Sequence, residues 1–276
     1  MSDKLPVTIV IPVRNEEANL PQCLAALRRF AHILVVDSAS TDSTCDIARD
    51  NGAELIQFEW TGKFPKKRNW VLTQHQFTTP WVLFLDADEV MSEAFVDELS
   101  AALADTSDAG FWLNYTNYFA GKQLKHGVPQ RKLALMRVGA GMYERIEEDS
   151  WSSLDMEVHE HPVLEGTIGE ITSPIDHRDF RGIAKFLERH VDYAKWEAAR
   201  YGELHREGLD KASHLTDRQR FKYRHLASWW YPSFYFLFAY GLRGGLLDGR
   251  AGLLYAFYKS WYFTTIRALI REGKSS

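Results

Sequence analysis

The chain has 276 residues, 37 acidic against 33 basic side chains and a net charge of -4, and 45% of it is hydrophobic. That length buries a substantial core, and the slight acidity gives no electrostatic footprint for nucleic acid. Its two cysteines, Cys23 and Cys45, fall on apolar helical positions without metal-ligand spacing; they imply no disulfide framework and read as buried thiols in a reducing compartment.

The opening Met-Ser-Asp-Lys-Leu-Pro runs into a strand with no apolar signal core, so a cytosolic start is expected. Val7 to Val13 is a β-branched apolar run closed by Arg14-Asn15-Glu16-Glu17, which predicts a buried strand and its exit loop. Leu20, Cys23, Leu24 and Leu27 then recur at helical spacing, with Asn15 or Asn19 as N-cap and Pro21 tolerable only in the first turn. Ile33 to Asp37 predicts a second strand. The cluster Ser38-Ala39-Ser40-Thr41-Asp42-Ser43-Thr44 suits a turn into a capped helix, ending near Asn51-Gly52 where glycine takes the left-handed conformation. A third strand, Glu54 to Phe58, precedes the basic segment Lys63-Phe-Pro-Lys66-Lys67-Arg68-Asn69-Trp70, which opens another helix.

The run Trp81-Val-Leu-Phe-Leu85 ends abruptly in Asp86-Ala87-Asp88-Glu89. A wholly apolar strand delivering carboxylates at its C-terminal edge is the pattern of a buried parallel strand, and that edge is where open α/β sheets bind ligands. Residues two apart on an extended chain project the same way, which would let Asp86 and Asp88 share a divalent cation and, through it, nucleotide phosphates. Alone, a D-x-D equally suits a solvated acidic turn. Strands alternating with helices up to this point predict a doubly wound, Rossmann-like α/β arrangement. No G-x-G-x-x-G or P-loop sequence is present, so a dehydrogenase or P-loop reading lacks a phosphate cradle. Carboxylates close two strands instead, at Asp37 and at Asp86/Asp88. That suits a nucleotide gripped by hydrogen bonds at base and ribose and held through a metal at its diphosphate.

Ile11-Pro-Val-Arg-Asn-Glu16, Asp37-Ser-Ala-Ser-Thr-Asp42, Lys67-Arg-Asn69 and Leu85-Asp-Ala-Asp-Glu89, in this order, resemble glycosyltransferase family 2. With Val158-His159-Glu160 and the length added, the chain looks most like the bacterial lipopolysaccharide-core glucosyltransferases of the WaaE type. The resemblance implies the GT-A fold, a mostly parallel sheet flanked by helices. It implies that Pro12, Arg14 and Glu16 line the nucleotide pocket and that Asp37 takes hydrogen bonds from the base or ribose. It places Asp86, with Ala87 beside it, against the ribose or metal, and Asp88 on a Mg²⁺ or Mn²⁺ that bridges the diphosphate. Arg68 would meet the donor phosphates or stand as a solvated helix start, and His177 would complete the metal shell or be a structural histidine. Ala39 stands where the family usually has glycine. The absence of Q-x-x-R-W argues against a processive synthase.

An amphipathic helix with Phe95, Leu99 and Leu103 follows Ser92, and Gly110 to Phe119 and Leu133 to Val138 are β-rich. In Glu157-Val-His159-Glu160-His161-Pro162 the spacing is not that of a zinc helix; by resemblance Glu160 is the catalytic base. A helix is expected from Phe180 to Tyr201. Beyond Arg218 the chain turns aromatic, Trp229 to Tyr240 and Leu253 to Phe263, interrupted by Arg243, Arg250, Lys259 and Arg267. Neither run is long enough for a transmembrane span, and residues 225–271 suit either helices in a bilayer interface or a buried helical hairpin. The expected division is a catalytic domain of residues 1–178 and a helical, aromatic-rich extension of residues 179–276. The expected function is inverting, metal-dependent transfer of a sugar, glucose first, from a UDP-sugar to a lipid-linked or lipopolysaccharide-type acceptor on the cytoplasmic face of the bacterial inner membrane. The rival readings are a sugar nucleotidyltransferase and a catalytically silent, membrane-associated adaptor that binds nucleotide sugars.

Overall fold

The computed structural model describes residues 4–146, 148, 151, 154–157, 160–178, 182–209 and 215–273. Val158, His159 and Phe180, named above, lie outside the described residues. The chain forms two compact units, Met1–Thr116 with Gln130–Arg178, and Asn117–Pro129 with Asp179–Ser276.

The first unit begins with β1 (Leu5–Val13), α1 (Leu20–Ala25), β2 (Phe30–Asp37), α2 (Thr44–Asp50), β3 (Glu54–Gln57), α3 (Lys67–Gln74) and β4 (Trp81–Phe84). It continues with β5 (Glu89–Val90), α4 (Glu93–Ala104), β6 (Gly110–Phe119), then, after β7 (Lys122–Leu124) of the second unit, β8 (Gln130–Arg137), β9 (Gly141–Tyr143), β10 (Pro162–Leu164) and β11 (Ile168–His177). The sheet order is β3-β2-β1-β4-β8-β6-β11-β5. β1 pairs in parallel with β2 and β4, and β2 with β3, whereas β8 is antiparallel to both β4 and β6, and β11 to β5. β9 and β10 form a separate antiparallel pair.

The apolar runs are continuous because both faces of the parallel half are covered. Along β1 the alternate residues Val7, Ile9, Ile11 and Val13 pack on one face with Leu20 of α1 and Phe95 and Leu99 of α4, while Val10 packs on the other with Leu34, Val36, Phe84 and Val71 of α3. Pro21 sits in the first turn of α1, where its missing N–H costs nothing. Ser92 caps α4, its hydroxyl accepting from the Phe95 N–H at 3.1 Å. Gly52 follows α2 with φ +74°. Cys23 is buried, but Cys45 is only half-buried, lying 3.7 Å from the Gln57 amide nitrogen.

The second unit pairs the end of β6 with β7, Asn117 opposite Leu124. Its helices are α5 (Gly182–Glu207), α6 (Asp217–His225), α7 (Tyr231–Leu237) and α8 (Gly249–Gly273), with a π-helical turn at Phe238–Leu242 and a 3-10 turn at Gly245–Asp248 between the last two. α6 starts on a capping box between Thr216 and Gln219. Ala194, Leu204, Tyr223, Leu226, Tyr231, Phe263 and Ile266 form its core, with the Tyr231 and Phe263 rings edge-to-face at 5.2 Å. Gly252 lets α8 pass the 3-10 turn: a Cβ there would lie 1.9 Å from the Gly245 carbonyl oxygen. Among the described residues no helix is long and apolar enough to cross a membrane. The aromatic segments divide their surface. One side forms this core, and Trp229, Leu237, Leu242, Leu246, Leu247 and Phe257 remain exposed.

Candidate active site

The start of α3 organises the polar side of the first unit. A helix leaves its first backbone N–H groups without internal partners. Here Lys67 N–H donates to the Asp155 carbonyl at 3.0 Å, and the N–H groups of Arg68 and Asn69 donate to the Glu157 carboxylate at 2.8 and 3.0 Å. Glu157 therefore stands where a capping side chain would, with its charge against the positive end of the helix. Asn69 fixes the neighbouring strand β9, donating to the Tyr143 carbonyl at 3.1 Å and accepting from the Tyr143 N–H at 2.9 Å.

From this start three successive cations fan out to four carboxylates. Arg68 donates to Asp86 Oδ1 at 3.1 Å and to the Glu157 carbonyl, with its guanidinium 5.3 Å from the centre of the Tyr143 ring. Lys67 reaches Asp155 Oδ2 at 3.2 Å and the Val13 carbonyl at 3.4 Å. Lys66 binds Glu160 Oε1 at 2.8 Å and also Glu148. Lys66 and Lys67 are both buried. The solvated helix start is thereby overturned: these cations are internal, and burial pulls the Lys67 amine below its ordinary value despite Asp155. Arg68 is committed to a carboxylate and a carbonyl of the protein itself.

Asp86, Ala87 and Asp88 are not extended. β4 ends at Phe84, and the Glu89 N–H donates to the Asp86 carbonyl at 2.9 Å, closing a turn that the short β5 continues. The i, i+2 same-side argument therefore does not apply, and the two aspartates face different partners. Asp86 takes Arg68 on one oxygen and Lys132, from β8, on the other at 2.7 Å; Lys132 also bridges to the buried Glu89. Burial alone would raise the Asp86 carboxyl, but Lys132 and Arg68 outweigh it and hold it well below the usual carboxylate range. Burial raises Glu89. Asp88 lies 3.5 Å from His177 Nε2. Burial lowers the His177 imidazole, yet the contact with Asp88 more than offsets that and leaves it raised.

These residues test a divalent cation directly. A carboxylate and an imidazole brought together are an ordinary donor set for Mn²⁺, and Asp88 with His177 fits one. Asp86 instead meets a cation at each oxygen, Arg68 and Lys132.

At the end of β2 the buried Asp37 accepts from the N–H of Ser40 at 3.0 Å and from its hydroxyl. Burial pushes the Asp37 carboxyl up, and the bonds from Ser40, with Cys45 and Gln57, more than offset it. The loops after β1 and β2 hold each other. The Asn15 N–H donates to the Ser40 hydroxyl and the Thr41 N–H to the Asn15 side chain, each at 2.8 Å. The Glu16 N–H donates to the Thr44 hydroxyl at 2.8 Å. Asn15 and Ala39 take left-handed conformations, φ +56° and +53°. Alanine at 39 therefore bears a strain of about 1 kcal/mol that glycine would not. Pro12 is buried in β1 opposite Val36, and Arg14 is exposed at the strand's exit. Ser38 donates to Asp155 at 2.7 Å, so Lys67 and Asp155 link this loop to α3.

Glu160 lines a cleft with Trp60, Phe64, Ile146, Glu148 and Glu157. It is almost fully buried. Burial pushes its carboxyl up to about 7, with Lys66 opposing and the adjacent Glu148 adding to the rise. A carboxyl so balanced exchanges a proton at neutral pH. The sequence reading did not single out Lys132, Glu148 or Asp155. Each is a common charged residue whose meaning depends on a partner at least 43 residues away, as with Lys132 and Glu89.

Residues 8–155 match a family model described as Glycosyl transferase family 2. Over 272 residues, 93% of this chain and 91% of the relative, the sequence is 29% identical to the lipopolysaccharide core biosynthesis glycosyltransferase LpsC of Rhizobium meliloti (strain 1021). It is 37% identical over 102 residues, 37% of this chain and 45% of the relative, to the uncharacterized glycosyltransferase Mb0553 of Mycobacterium bovis. The mannosyltransferase PcManGT of Pyrobaculum calidifontis, solved with GDP-Man and Mn²⁺, aligns with 97% of this chain and 87% of its own at a TM-score of 0.50 and 16% identity, which shows a shared fold.

Proposed function

Since the chain belongs to glycosyl transferase family 2, and so is a transferase with the GT-A fold, we propose that it moves a sugar from a UDP-sugar to a lipid-linked or lipopolysaccharide-type saccharide with inversion. Glucose is the first choice of sugar. The full-length relative named for lipopolysaccharide core biosynthesis supports this acceptor class. The observation that carries the reading is the fan from α3, which ties the Asp86 turn, the Asp37 loop and the Glu160 cleft to one helix start.

In this reading Asp37 and the β1 exit, with Pro12, Arg14 and Glu16, hold the nucleoside. The acceptor hydroxyl enters the cleft, and Glu160 takes its proton as the oxygen attacks the anomeric carbon. The new C–O bond forms as the bond to the diphosphate breaks, and UDP leaves with that electron pair. Asp88 and His177 would hold Mg²⁺ or Mn²⁺, which when bound would supply charge compensation for the diphosphate. Arg68 and Lys132 keep Asp86 ionised beside it.

The test is thermal stabilisation by UDP- and GDP-sugars with Mn²⁺, followed by a product assay. UDP-glucose with Mn²⁺ is expected to raise the melting temperature of the wild type, and Asp88→Asn to weaken donor binding about tenfold or more. Pyrophosphate release from a nucleoside triphosphate and a sugar phosphate would instead favour the nucleotidyltransferase. Donor binding without turnover on any acceptor would favour the silent adaptor.

A lipid-linked acceptor requires access to a bilayer surface, and residues 225–271 suit this, at the cytoplasmic face of the inner membrane. Arg243 and Arg250 are exposed beside Leu242, Leu246 and Leu247, the pairing of basic and apolar side chains that favours an anionic interface. Lys259 does not share this role: its amine is 3.3 Å from His190 Nε2 and 5.5 Å from the centre of the Tyr262 ring, and burial lowers it to about 8. Trp229, Leu242 and Leu247 are 76%, 82% and 66% exposed, so changing all three to Ser leaves the core intact. Sedimentation of that variant with phosphatidylglycerol vesicles is expected to fall about tenfold or more. Unchanged sedimentation would remove the membrane role.

A further inference from the structure

Away from the cleft, three side chains converge at the other edge of the first unit's sheet. His32 lies near the start of β2, Glu54 opens β3, and His75 directly follows α3. β2 and β3 run parallel, with Leu34 opposite Glu54 and Asp37 opposite Gln57. Five residues of strand, at about 3.3 Å each, separate His32 from Asp37 by about 16 Å. The cluster is carried by β2, β3 and the end of α3, whereas Asp88 precedes β5 and His177 ends β11.

His32 Nε2 is 2.9 Å from Glu54 Oε2, and His75 Nδ1 is 4.0 Å from Glu54 Oε1. The two imidazoles stack with centroids 5.9 Å apart and planes inclined by 17°. One ligand atom from each of the three residues lies within 4.8 Å of the other two, and among the described residues this is the group of three that does so. Hydrogen bonding accounts for only part of the arrangement. The His75 nitrogen that faces Glu54 lies beyond hydrogen-bond distance of it, and an ordinary surface ion pair does not call for two imidazoles around one carboxylate.

We propose that His32, Glu54 and His75 form a second metal site, one for a divalent transition-metal ion, with Zn²⁺ the first choice. Two imidazoles and a carboxylate are a three-ligand zinc set whose fourth position is left to water. Bonds of about 2.0–2.2 Å in tetrahedral geometry put ligand atoms about 3.3 Å apart, so the group contracts by about 1.5 Å at most. Rotation of the exposed Glu54 side chain closes its 4.0 Å distance to His75. Two imidazoles against one carboxylate favour Zn²⁺ over Mg²⁺, which takes oxygen ligands. An ion held here ties β2 and β3 to the C-terminal end of α3, the helix whose other end carries Lys66, Lys67 and Arg68.

The experiment titrates the untagged full chain with Zn²⁺ in excess Mg²⁺, read by calorimetry and by thermal melting. One Zn²⁺ per chain is expected. At free Zn²⁺ about a hundredfold above its dissociation constant, the melting temperature should rise by about 4–8 °C. Glu54→Gln and His75→Gln should each weaken binding at least about tenfold and remove most of that rise, whereas Asp88→Asn should leave both unchanged. Glu54 is exposed, so its variant keeps the fold, and melting without Zn²⁺ verifies this for each protein. Zn²⁺ binding that survives in both Glu54→Gln and His75→Gln, that disappears in Asp88→Asn, or that is absent from the folded wild type would overturn the site.

Discussion

Glu160→Gln is expected to lower the rate of sugar transfer about 10²–10⁴-fold while the donor affinity stays close to that of the wild type. Glutamine keeps the shape of the side chain but can neither accept the proton nor carry the charge that pairs with Lys66. The size of the effect follows from where Glu160 sits. Burial raises its carboxyl to about 7, and Lys66, 2.8 Å away, keeps the ionised form within reach of neutral pH. A base must be deprotonated to act, so kcat/KM of the wild type should climb as pH passes through about 7 and then level off, whereas the residual rate of the variant should lack that rise. The same elevation has a cost in stability. Between the unfolded carboxylate value and about 7 the folded chain binds a proton that the unfolded chain has released, so stability falls as pH rises across that window. Glu160→Gln removes this slope. Transfer that persists at the wild-type rate would place the base elsewhere.

Strands β1, β2 and β4 of the parallel half were legible because each is apolar on both faces. Val7 to Val13, Ile33 to Asp37 and Trp81 to Leu85 contain no position that must face water, and the residues that close them are polar. The predicted boundaries move by a few residues at most, β1 starting at Leu5 and β2 at Phe30. The antiparallel half was harder to read. β11 buries only Ile171 and Ile175 of its ten residues and contains Pro174, so its alternation resembles a loop. β5, β9 and β10 are two or three residues long and exist through their partners rather than through any pattern of their own. The Asp86 turn misled for a related reason: the apolar run predicts an extended chain through to Asp88, but the Glu89 N–H bonds back to the Asp86 carbonyl and stops it.

The site divides along the same line. Asp37 and Asp86 were visible because each follows an apolar strand directly, and strand ends position side chains by local geometry. The fan was not visible. A lysine is ordinarily solvated, and what buries Lys66 is a pair of acids, Glu148 and Glu160, the second 94 residues further along the chain. Such pairing depends on β9 and β10 returning the chain to α3, a long-range fact that no local spacing encodes.

Lys66→Met should destabilise the protein by about 3–5 kcal/mol near pH 8, the cost of removing one partner from a buried charge cluster. Methionine matches the stem in bulk, so the loss is electrostatic rather than a cavity. Glu148 and Glu160 are then left together in a buried place without Lys66, and Glu148 raises the Glu160 carboxyl. With the folded Glu160 carboxyl raised further above its unfolded value, its protonated form is favoured in the native state. The sign follows: the folded chain holds more protons than the unfolded one, so the penalty is small near pH 5 and grows as pH rises towards 8. Denaturant unfolding at these two pH values, compared with the wild type, measures it. The same variant should move the rise in kcat/KM to higher pH, because the base loses the cation that favours its ionised form, while Mn²⁺-dependent donor binding through Asp88 is retained. A penalty that is equal at both pH values, together with an unmoved activity profile, would mean that Lys66 only fills space and that the acids of the cleft are not coupled through it.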